Sequence, residues 1–224
     1  MERVLDAAAD LLARWGYRRV TIEDVAAAAG IGKGTVYLHF RTKEALFLTV
    51  LLRGYRAMVT HMTGLMRADP REVLPGRMMR SSYLMMQDDP VARRIYLGDG
   101  EMLGRLAREA MGTLGELRVR GSAASRVHLG LLRDAGLVRT DIDISAQQYL
   151  LDAVGAGFFF VESLGLPYAP AEPSARADVM AYSLANALEV PGAPAPDAGL
   201  AARIAGEYDA LLEFVDDEWQ RRAR

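Results

Sequence analysis

The sequence has 224 residues, of which 51% are hydrophobic, and a formal net charge of −2. It contains no cysteine, which excludes disulfides, thiolate nucleophiles and cysteine-ligated metal sites. A chain of this length can bury one sizeable core or two modest ones. Charged residues interrupt the apolar residues of the N-terminus, and no later stretch reaches membrane-spanning length without charges. We therefore expect a cytoplasmic protein with no membrane partner.

The predicted elements are all helical. Alanine, leucine, methionine, arginine and glutamate dominate, and no alternating run bounded by hairpin turns is long enough to indicate a sheet. One helix is predicted to break near Gly112 or Gly121, where glycine weakens helical structure. The predicted helices are 2–15, 22–28, 33–39, 43–67, 71–87, 90–97, 101–134, 145–165, 174–189 and 198–222.

The first three helices have the spacing of a helix-turn-helix. Thr21 precedes the second helix as an N-cap, with an acidic residue three positions later. Gly30 tolerates a left-handed turn, Ala26 is small enough to allow a close helix crossing, and Val36 faces back toward the core. In a helix-turn-helix, the second helix of the pair is presented to the DNA major groove. From this spacing alone, a plain helical hairpin is the alternative.

The helix from Lys33 is predicted to expose a face that can read DNA. Thr35 offers a hydroxyl and a methyl group to base edges, Tyr37 offers a hydroxyl, and Leu38 shares the outer face. Gly32 and Gly34 weaken a helix, a cost that close approach of the backbone to a phosphate would explain. His39 is interpreted as a phosphate-side or packing residue.

The two lysines of the chain, Lys33 and Lys43, lie ten residues apart, while all its other basic residues are arginines. A compact ammonium on a flexible stem suits phosphate-facing positions where a planar guanidinium does not, and chance placement is the alternative. We therefore predict that Lys43, at the start of the next helix, binds phosphate from the other side. Residues 1–53 carry a net charge of +2 and the rest −4, which by itself is equally consistent with ordinary scatter.

The stretch TIEDVAAAAGIGKGTVYLHFRTKEALF resembles the DNA-binding signature of the TetR family of transcriptional repressors, and the similarity covers residues 2 to about 52. The later stretch GLLRDAGLVRTDIDISAQQYLLDAVGAGFFF resembles the passage into the eighth helix of that family. Residues 191–224 extend past the point where many members end. The resemblance implies contacts with phosphate or base edges at Thr21, Ile22, Gly32, Lys33, Gly34, Thr35, Tyr37, Leu38, His39 and Lys43.

The resemblance also implies a three-helix DNA-binding domain at 1–48 and a larger α-helical ligand-binding and dimerisation domain at 49–190. Residues 191–224, which depart from the family pattern, are predicted to form a linker and an extension helix. A methionine-rich pair of helices is the candidate pocket for a small, apolar effector, with ordinary core packing as the alternative. The predicted pocket residues are Met58, Met62, Met79, Tyr83, Met86 and Phe159. A bundle of two chains is predicted to form a homodimer through Leu151, Val154, Gly155, Phe158, Met180 and Leu184.

The C-terminal extension is predicted to be a stiff linker over 191–196 followed by a helix capped by Asp197. An apolar stripe on this helix is expected to pack on the chain's own ligand-binding domain, with its acidic residues, including Glu218, on the outer side. The stripe consists of Leu200, Ile204, Tyr208, Leu211, Leu212, Val215 and Trp219.

No recognised catalytic or nucleotide-binding motif occurs, and His39, His61 and His128 are too scattered to indicate a metal site. We therefore predict no enzyme activity, no metal and no cofactor. The favoured function is a ligand-responsive dimeric repressor that binds a near-palindromic operator in double-stranded DNA. A helical ligand-binding protein that no longer binds DNA is the second hypothesis, and a dimerisation or scaffold protein is the third.

Overall fold

The computed structural model describes residues 1–89 and 100–222, with side chains described at 1–89 and 112–221. The architecture is all-α, as predicted, and it divides into two compact units. Unit 1 comprises the described parts of Met1–Ala57, Asp89–Arg118 and Leu212–Arg224, and unit 2 comprises Met58–Asp88 and Val119–Leu211. Among the described helices, none is long and apolar enough to cross a membrane.

Unit 1 begins with helix α1, Glu2–Arg19, which is kinked at Gly16. Gly16 has φ 73° and ψ 160°, which lie outside the helical region, so the regular helix ends near the predicted position and resumes for three residues. Helix α1 buries one face, which includes Leu5 and Leu12, in the core of unit 1. The kink places Tyr17 in that core as well.

Helices α2, Ile22–Ala29, and α3, Lys33–His39, form the predicted helix-turn-helix. The backbone N–H of Asp24 donates to Thr21 Oγ1 at 3.1 Å, and the N–H of Thr21 donates to Asp24 Oδ2 at 2.8 Å, which completes a capping box. Gly30 ends α2 in the left-handed region with φ 67°. The chain then turns into α3, whose Val36 is fully buried.

Helix α4, Lys43–Ala68, runs from unit 1 into unit 2. Its first turns bury Leu46 and Phe47 in the core of unit 1. Thr42 caps its N-terminus, since its hydroxyl accepts a hydrogen bond from the Ala45 N–H at 3.0 Å.

Unit 2 is organised around helix α5, Pro75–Asp88, which packs most extensively on α8, Pro173–Leu188, and also on α7, Ile144–Ser163. The contact with α8 requires glycine at position 76. A Cβ atom there would lie 2.7 Å from the backbone oxygen of Ala181, which is closer than real Cβ contacts. The tight helix pair therefore depends on a residue with no side chain.

Three predicted elements are corrected or left open. The predicted helix 71–87 divides into a 3₁₀ helix, Pro70–Val73, and α5, because Leu74 precedes Pro75 and takes an extended conformation with ψ 136°. The predicted break near Gly112 or Gly121 does not occur, since α6 runs unbroken over Gly100–Asp134. Burial of Leu117 and Ala124 on that helix outweighs the weak helix propensity of glycine. The predicted helix 90–97 lies outside the described residues.

Helix α9, Ala198–Arg222, begins as predicted, because Asp197 Oδ1 accepts a hydrogen bond from the Leu200 N–H at 2.7 Å. The predicted stripe buries Ile204, Tyr208 and Leu211 in unit 2. Val215, however, lies in the core cluster of unit 1, so the expectation that the whole stripe packs on the ligand-binding domain is wrong beyond Leu211.

The predicted outer position of Glu218 is also wrong. This residue is buried, accepts a hydrogen bond from Thr113 Oγ1 at 2.7 Å and pairs with Arg221. Since a buried carboxylate needs partners, these contacts explain how it is accommodated.

Candidate DNA-binding and ligand-binding sites

Helix α3 presents an exposed face above a buried anchor. Lys33 and Thr35 are exposed, and Tyr37 and Leu38 keep 44% and 76% of their surface accessible. Val36 on the opposite side is fully buried, which holds the helix on the core of unit 1. Exposing a large apolar side chain such as Leu38 to water costs free energy. Its exposure in the free chain therefore favours a partner for this face.

Lys33 is held within this face by two neighbours. Its ammonium group forms an ion pair with Glu23 of α2 and lies 5.7 Å from the centre of the Tyr37 ring. The hydrogen bond to Glu23 raises the pKa of Lys33 and lowers the pKa of Glu23. Both side chains are about half exposed, so a phosphate could compete for the ammonium. Sequence reasoning missed Glu23, although its position ten residues before Lys33 is visible in the sequence.

Gly32 and Gly34 are not required by the packing of the chain itself. A Cβ atom at Gly34 would meet no heavy atom within 4 Å, and one at Gly32 would meet only Thr35 Oγ1 at 3.9 Å. Both residues have ordinary negative φ, since neither is among the glycines with positive φ. Their small size therefore leaves open space outside the helix-turn-helix.

Two of the predicted contact residues are engaged within the chain. The Thr21 hydroxyl accepts from the Asp24 N–H and donates to Asp24 Oδ2 at 2.7 Å. Ile22 is 4% exposed and belongs to the core cluster, so a contact of this residue with DNA would have to come from its backbone. An apolar residue at the first position of α2 packs inward because that face of the helix covers α1.

His39 is half-buried, with its ring edge-on to Phe40 at 6.4 Å between centroids.

Lys43 faces α1. Its Nζ atom donates to the Tyr17 carbonyl oxygen at 2.6 Å and lies 4.2 Å from the centre of the Tyr17 ring. Burial lowers the pKa of this ammonium. The next residue, Glu44, accepts a hydrogen bond from the Tyr17 hydroxyl at 2.7 Å. Lys43, predicted to bind phosphate, therefore already donates one hydrogen bond to the protein backbone, and the contacts of Tyr17 with Lys43 and Glu44 were not predicted.

A small cavity lies between α4, the 3₁₀ helix and α5 in unit 2. Its volume is about 10 Å³, close to the space needed by one water molecule. Two of the predicted pocket residues, Met58 and Met62, line it. The remaining lining residues are His61, Leu65, Glu72, Met78, Ser81, Ser82 and Met85.

The other four predicted pocket residues lie away from this cavity. Met79, Tyr83 and Met86 recur at intervals of four and three residues on a neighbouring, buried face of α5. The Tyr83 ring stacks on Phe159 of α7 with 4.8 Å between centroids. These residues are buried in unit 2 and do not line this cavity, and their place in a pocket that also involves helix 101–134 stays a prediction.

Tyr83 also joins three helices through a polar cluster. Its hydroxyl donates to Glu162 Oε2 at 3.0 Å and accepts from Arg176 Nε at 3.0 Å. Arg176 further donates to the carbonyl oxygens of Pro170 and Ala171, each at 2.7 Å. Burial raises the pKa of Tyr83, so the phenol remains protonated and can donate to the carboxylate.

A second, open groove in unit 2 has a volume of about 430 Å³. Its walls come from the segment that includes Arg71 and Leu74, from Leu137, from the C-terminal end of α8 and from the linker 191–196. Sequence reasoning did not predict it, because the groove depends on how the proline-containing linker lies on the surface.

The predicted dimer residues are mostly buried within one chain. Leu151 and Gly155 are buried, and Met180 and Leu184 have no exposed surface. Val154 and Phe158 are half-buried. Helices α7 and α8 also carry large apolar side chains that are exposed. We define these as the α7–α8 apolar surface: Tyr149, Phe160, Val161, Leu164, Val179 and Tyr182.

Comparison with known proteins identifies the family. Residues 4–50, which span α1–α3 and the start of α4, match the model for bacterial regulatory proteins of the tetR family. The chain is 33% identical over 160 residues to the HTH-type transcriptional repressor KstR2 of Rhodococcus jostii (strain RHA1), which covers 66% of this chain and 73% of that protein. This chain belongs to the TetR family. The predicted family is thus confirmed, and a TetR-family chain is a transcriptional regulator.

Two further comparisons differ in coverage. The uncharacterized HTH-type transcriptional regulator YerO of Bacillus subtilis (strain 168) is 44% identical over 48 residues, 21% of this chain and only 17% of that protein. The crystal structure of FadR from Bacillus subtilis in complex with stearoyl-CoA has a TM-score of 0.60 and 16% identity, and the match covers 82% of this chain and 96% of that one. YerO therefore matches about a fifth of this chain, whereas FadR shares most of its fold.

Proposed function

We propose that this chain is a ligand-responsive dimeric repressor in the cytoplasm that binds a near-palindromic operator in double-stranded DNA. The observation that carries the proposal is the exposed face of α3, where Lys33, Thr35, Tyr37 and Leu38 stand above the buried Val36. We assign DNA binding to residues 1–48, ligand binding and dimerisation to 49–190, and a structural role to 191–224.

The exposed face supplies complementary contacts to DNA. Lys33 offers a charge to a phosphate or a guanine, Thr35 a hydroxyl and a methyl group, and Tyr37 a hydroxyl. The open space at Gly32 and Gly34 allows the backbone at the start of α3 to approach a phosphate. One seven-residue helix reads few base pairs. We therefore infer that a dimer places its two α3 helices about 34–36 Å apart in successive major grooves.

The α7–α8 apolar surface supports dimerisation in solution. Tyr149 and Phe160 are 76% and 64% exposed, and they lie on one face of α7 because they are eleven residues apart. Such a concentration of exposed apolar area is typical of an interaction site. A second copy of the chain is the proposed partner, through a two-fold contact in which the same surface serves both subunits.

We infer that a small apolar effector binds between α4 and α5, where methionines line a cavity of about 10 Å³. Its present volume admits no such molecule, so binding would require Met58, Met62, Met78 and Met85 to change rotamers, which methionine does at low cost. FadR of Bacillus subtilis is described with stearoyl-CoA, which favours an effector with an acyl chain. Displacement of α4 at Met58 would pass along the same helix toward Lys43 and favour release of DNA.

The direct experiment is selection of duplexes from a random-sequence pool by the purified protein, followed by sequencing. We expect a near-palindromic site with half-sites about one helical turn apart, bound with a steep salt dependence. Lys33→Ala and Tyr37→Ala should each weaken binding to that site by about 1–3 kcal/mol. Arg80→Ala, a charge removed in unit 2, serves as the control and should bind normally.

Three outcomes separate the hypotheses. If the selection enriches no sequence but acyl-chain ligands raise the melting temperature of the protein, the result supports a ligand-binding protein that does not read DNA. Enrichment of no sequence and no ligand response would support a scaffold. Light scattering that reports a monomer at micromolar concentration would contradict the proposed dimer.

A further inference from the structure

The core of unit 1 is built from separate parts of the chain. Besides residues of α1–α4, its cluster of buried apolar residues contains Leu117 of α6 and Val215 of α9, which are 4% and 0% exposed. Phe214 and Trp219 of α9 pack against the same cluster. The family model matches residues only as far as the first turns of α4. The end of α9, residues 212–222, nevertheless belongs to the unit that contains the helix-turn-helix.

Two arginines on α4 join this helix to its neighbours in unit 1. Arg53 Nη1 donates to Asp6 Oδ1 of α1 at 2.7 Å, and Arg56 Nε donates to Asp216 Oδ1 of α9 at 2.9 Å. All four side chains are partly exposed, so each ion pair contributes little to stability. Their arrangement shows that α4 contacts both α1 and the end of α9. A displacement of that end would therefore change the surroundings of α4 within unit 1.

Glu218 is suited to fix the register of α9 on α6. Its carboxylate is 5% exposed and accepts a hydrogen bond at 2.7 Å from the hydroxyl of Thr113, which is 8% exposed. Apolar contacts such as those of Val215 have little directional preference. A buried carboxylate has to meet its donor, and a shift of α9 by one helical turn would take Glu218 out of reach of Thr113. Single buried polar contacts can set the register of packed helices in this way.

We propose that residues 212–222 are a positioning element for the DNA-binding face of α3, and that the contact between Glu218 and Thr113 fixes their register on α6. The proposal rests on the proposed DNA-binding function. In this register Val215 completes the core that also holds Val36 of α3. Without it, we expect the core to adopt several arrangements, in only some of which α3 has the orientation that DNA requires. The apparent affinity then falls with the fraction of molecules in the competent arrangement.

The experiment separates positioning from stability by replacing both partners at once. Thr113→Val with Glu218→Met removes the hydroxyl and the carboxylate but keeps the approximate size of both side chains, a change that costs little stability when both polar groups leave together. Arg221, which also pairs with Glu218, is exposed and can be solvated. Thr113→Ser keeps the hydroxyl donor and is the conservative control. Asp217→Asn removes an exposed acidic charge beside Glu218 and calibrates the effect of charge alone.

Trp219 reports the register directly. The chain has two tryptophans, so Trp15→Phe leaves the half-buried Trp219 as the one source of tryptophan emission. In this background we expect the double variant to shift the emission to longer wavelength and to increase quenching by acrylamide, because the indole next to Glu218 gains contact with water. Unchanged emission and quenching would show that the register does not depend on the polar contact, and would overturn the proposal.

DNA binding is measured well below the melting temperature of each variant, on the duplex selected by the wild-type protein and on a random-sequence duplex. For the double variant we expect a melting temperature near that of the wild type, about tenfold weaker binding to the selected duplex and little change on the random duplex. Thr113→Ser and Asp217→Asn should bind the selected duplex as the wild type does.

Three results would contradict the positioning role. Wild-type affinity of the double variant, with or without a lower melting temperature, would leave at most a role in stability. An equal change on both duplexes, reproduced by Asp217→Asn, would show an effect of charge alone. If the double variant does not fold, Thr113→Val decides by the same measurements, and wild-type affinity would again count against the proposal. Failure of the wild-type protein to select any duplex would refute the proposed function itself, while the Trp219 emission would still test the register.

Discussion

His128 should make unit 2 sensitive to mild acid. This side chain is completely buried between Tyr208, whose hydroxyl lies 3.0 Å from Nδ1, and the Val73 carbonyl oxygen, 2.7 Å from Nε2. A carbonyl oxygen only accepts, so Nε2 carries the hydrogen and Nδ1 accepts from the tyrosine. Burial lowers the pKa of His128 from 6.5 to about 4. The folded state therefore favours the neutral imidazole, and stability is fully present above pH 6.5 and is lost as the pH falls toward 4.

The size of the effect follows from that difference in pKa. With 1.36 kcal/mol for each unit, His128 accounts for a loss of about 2 kcal/mol between pH 7 and pH 5, and about 3 kcal/mol once the pH is below 4. Urea unfolding should be followed by far-UV circular dichroism, because both tryptophans, Trp15 and Trp219, lie in unit 1. His128→Gln should remove most of the pH dependence, whereas the exposed His61→Gln should retain it. Equal pH dependence in the wild type and His128→Gln would refute this reasoning.

The remaining predictions concern glycines and the dimer surface. Gly76→Ala should lower the unfolding free energy by about 1–3 kcal/mol in thermal denaturation, because the new Cβ would meet the Ala181 oxygen at 2.7 Å. Gly64→Ala is the matched control, since a Cβ there meets no heavy atom within 4 Å, and it should be neutral or slightly stabilising. Gly34→Ala should stabilise the free protein by up to about 1 kcal/mol yet weaken binding to the selected duplex, and unchanged binding would show that no phosphate approaches this backbone. Phe160→Asp should turn the proposed dimer into a monomer in light scattering, because an unpaired carboxylate would be buried in the contact. A persistent dimer would exclude the α7–α8 apolar surface.

Helix positions could be predicted because local signals coincide with the fold. Thr21 with Asp24, and Gly30 with its left-handed φ, fix both ends of α2 by contacts within a few residues. The division of the predicted helix 71–87 at Pro75 could have been read from the proline, whereas the continuity of α6 through Gly112 and Gly121 could not. There, tertiary burial of Leu117 and Ala124 overrides local propensity.

Side-chain roles were harder to predict, because they depend on which face of a helix packs inward. On α5, methionines at adjacent positions have opposite surroundings: Met78 and Met85 line the cavity, while Met79 and Met86 fill the core. The sequence contains the same residue type on both faces, so its periodicity does not distinguish pocket from core. The same ambiguity affects α7, where the adjacent residues Phe159 and Phe160 are 1% and 64% exposed.

The two lysines have different surroundings within unit 1. Lys33 is about half exposed and pairs with Glu23 by an ion pair that solvent and salt weaken, so its charge remains accessible to a phosphate. Lys43 is partly buried and donates to a backbone carbonyl, so moving it toward DNA would leave the Tyr17 oxygen without this donor. The net cost of releasing Lys33 is therefore smaller than that of releasing Lys43. The small size of the ammonium suits lysine at both positions, while the contacts within the chain differ: Lys33 forms an exposed ion pair, and Lys43 donates to a backbone carbonyl.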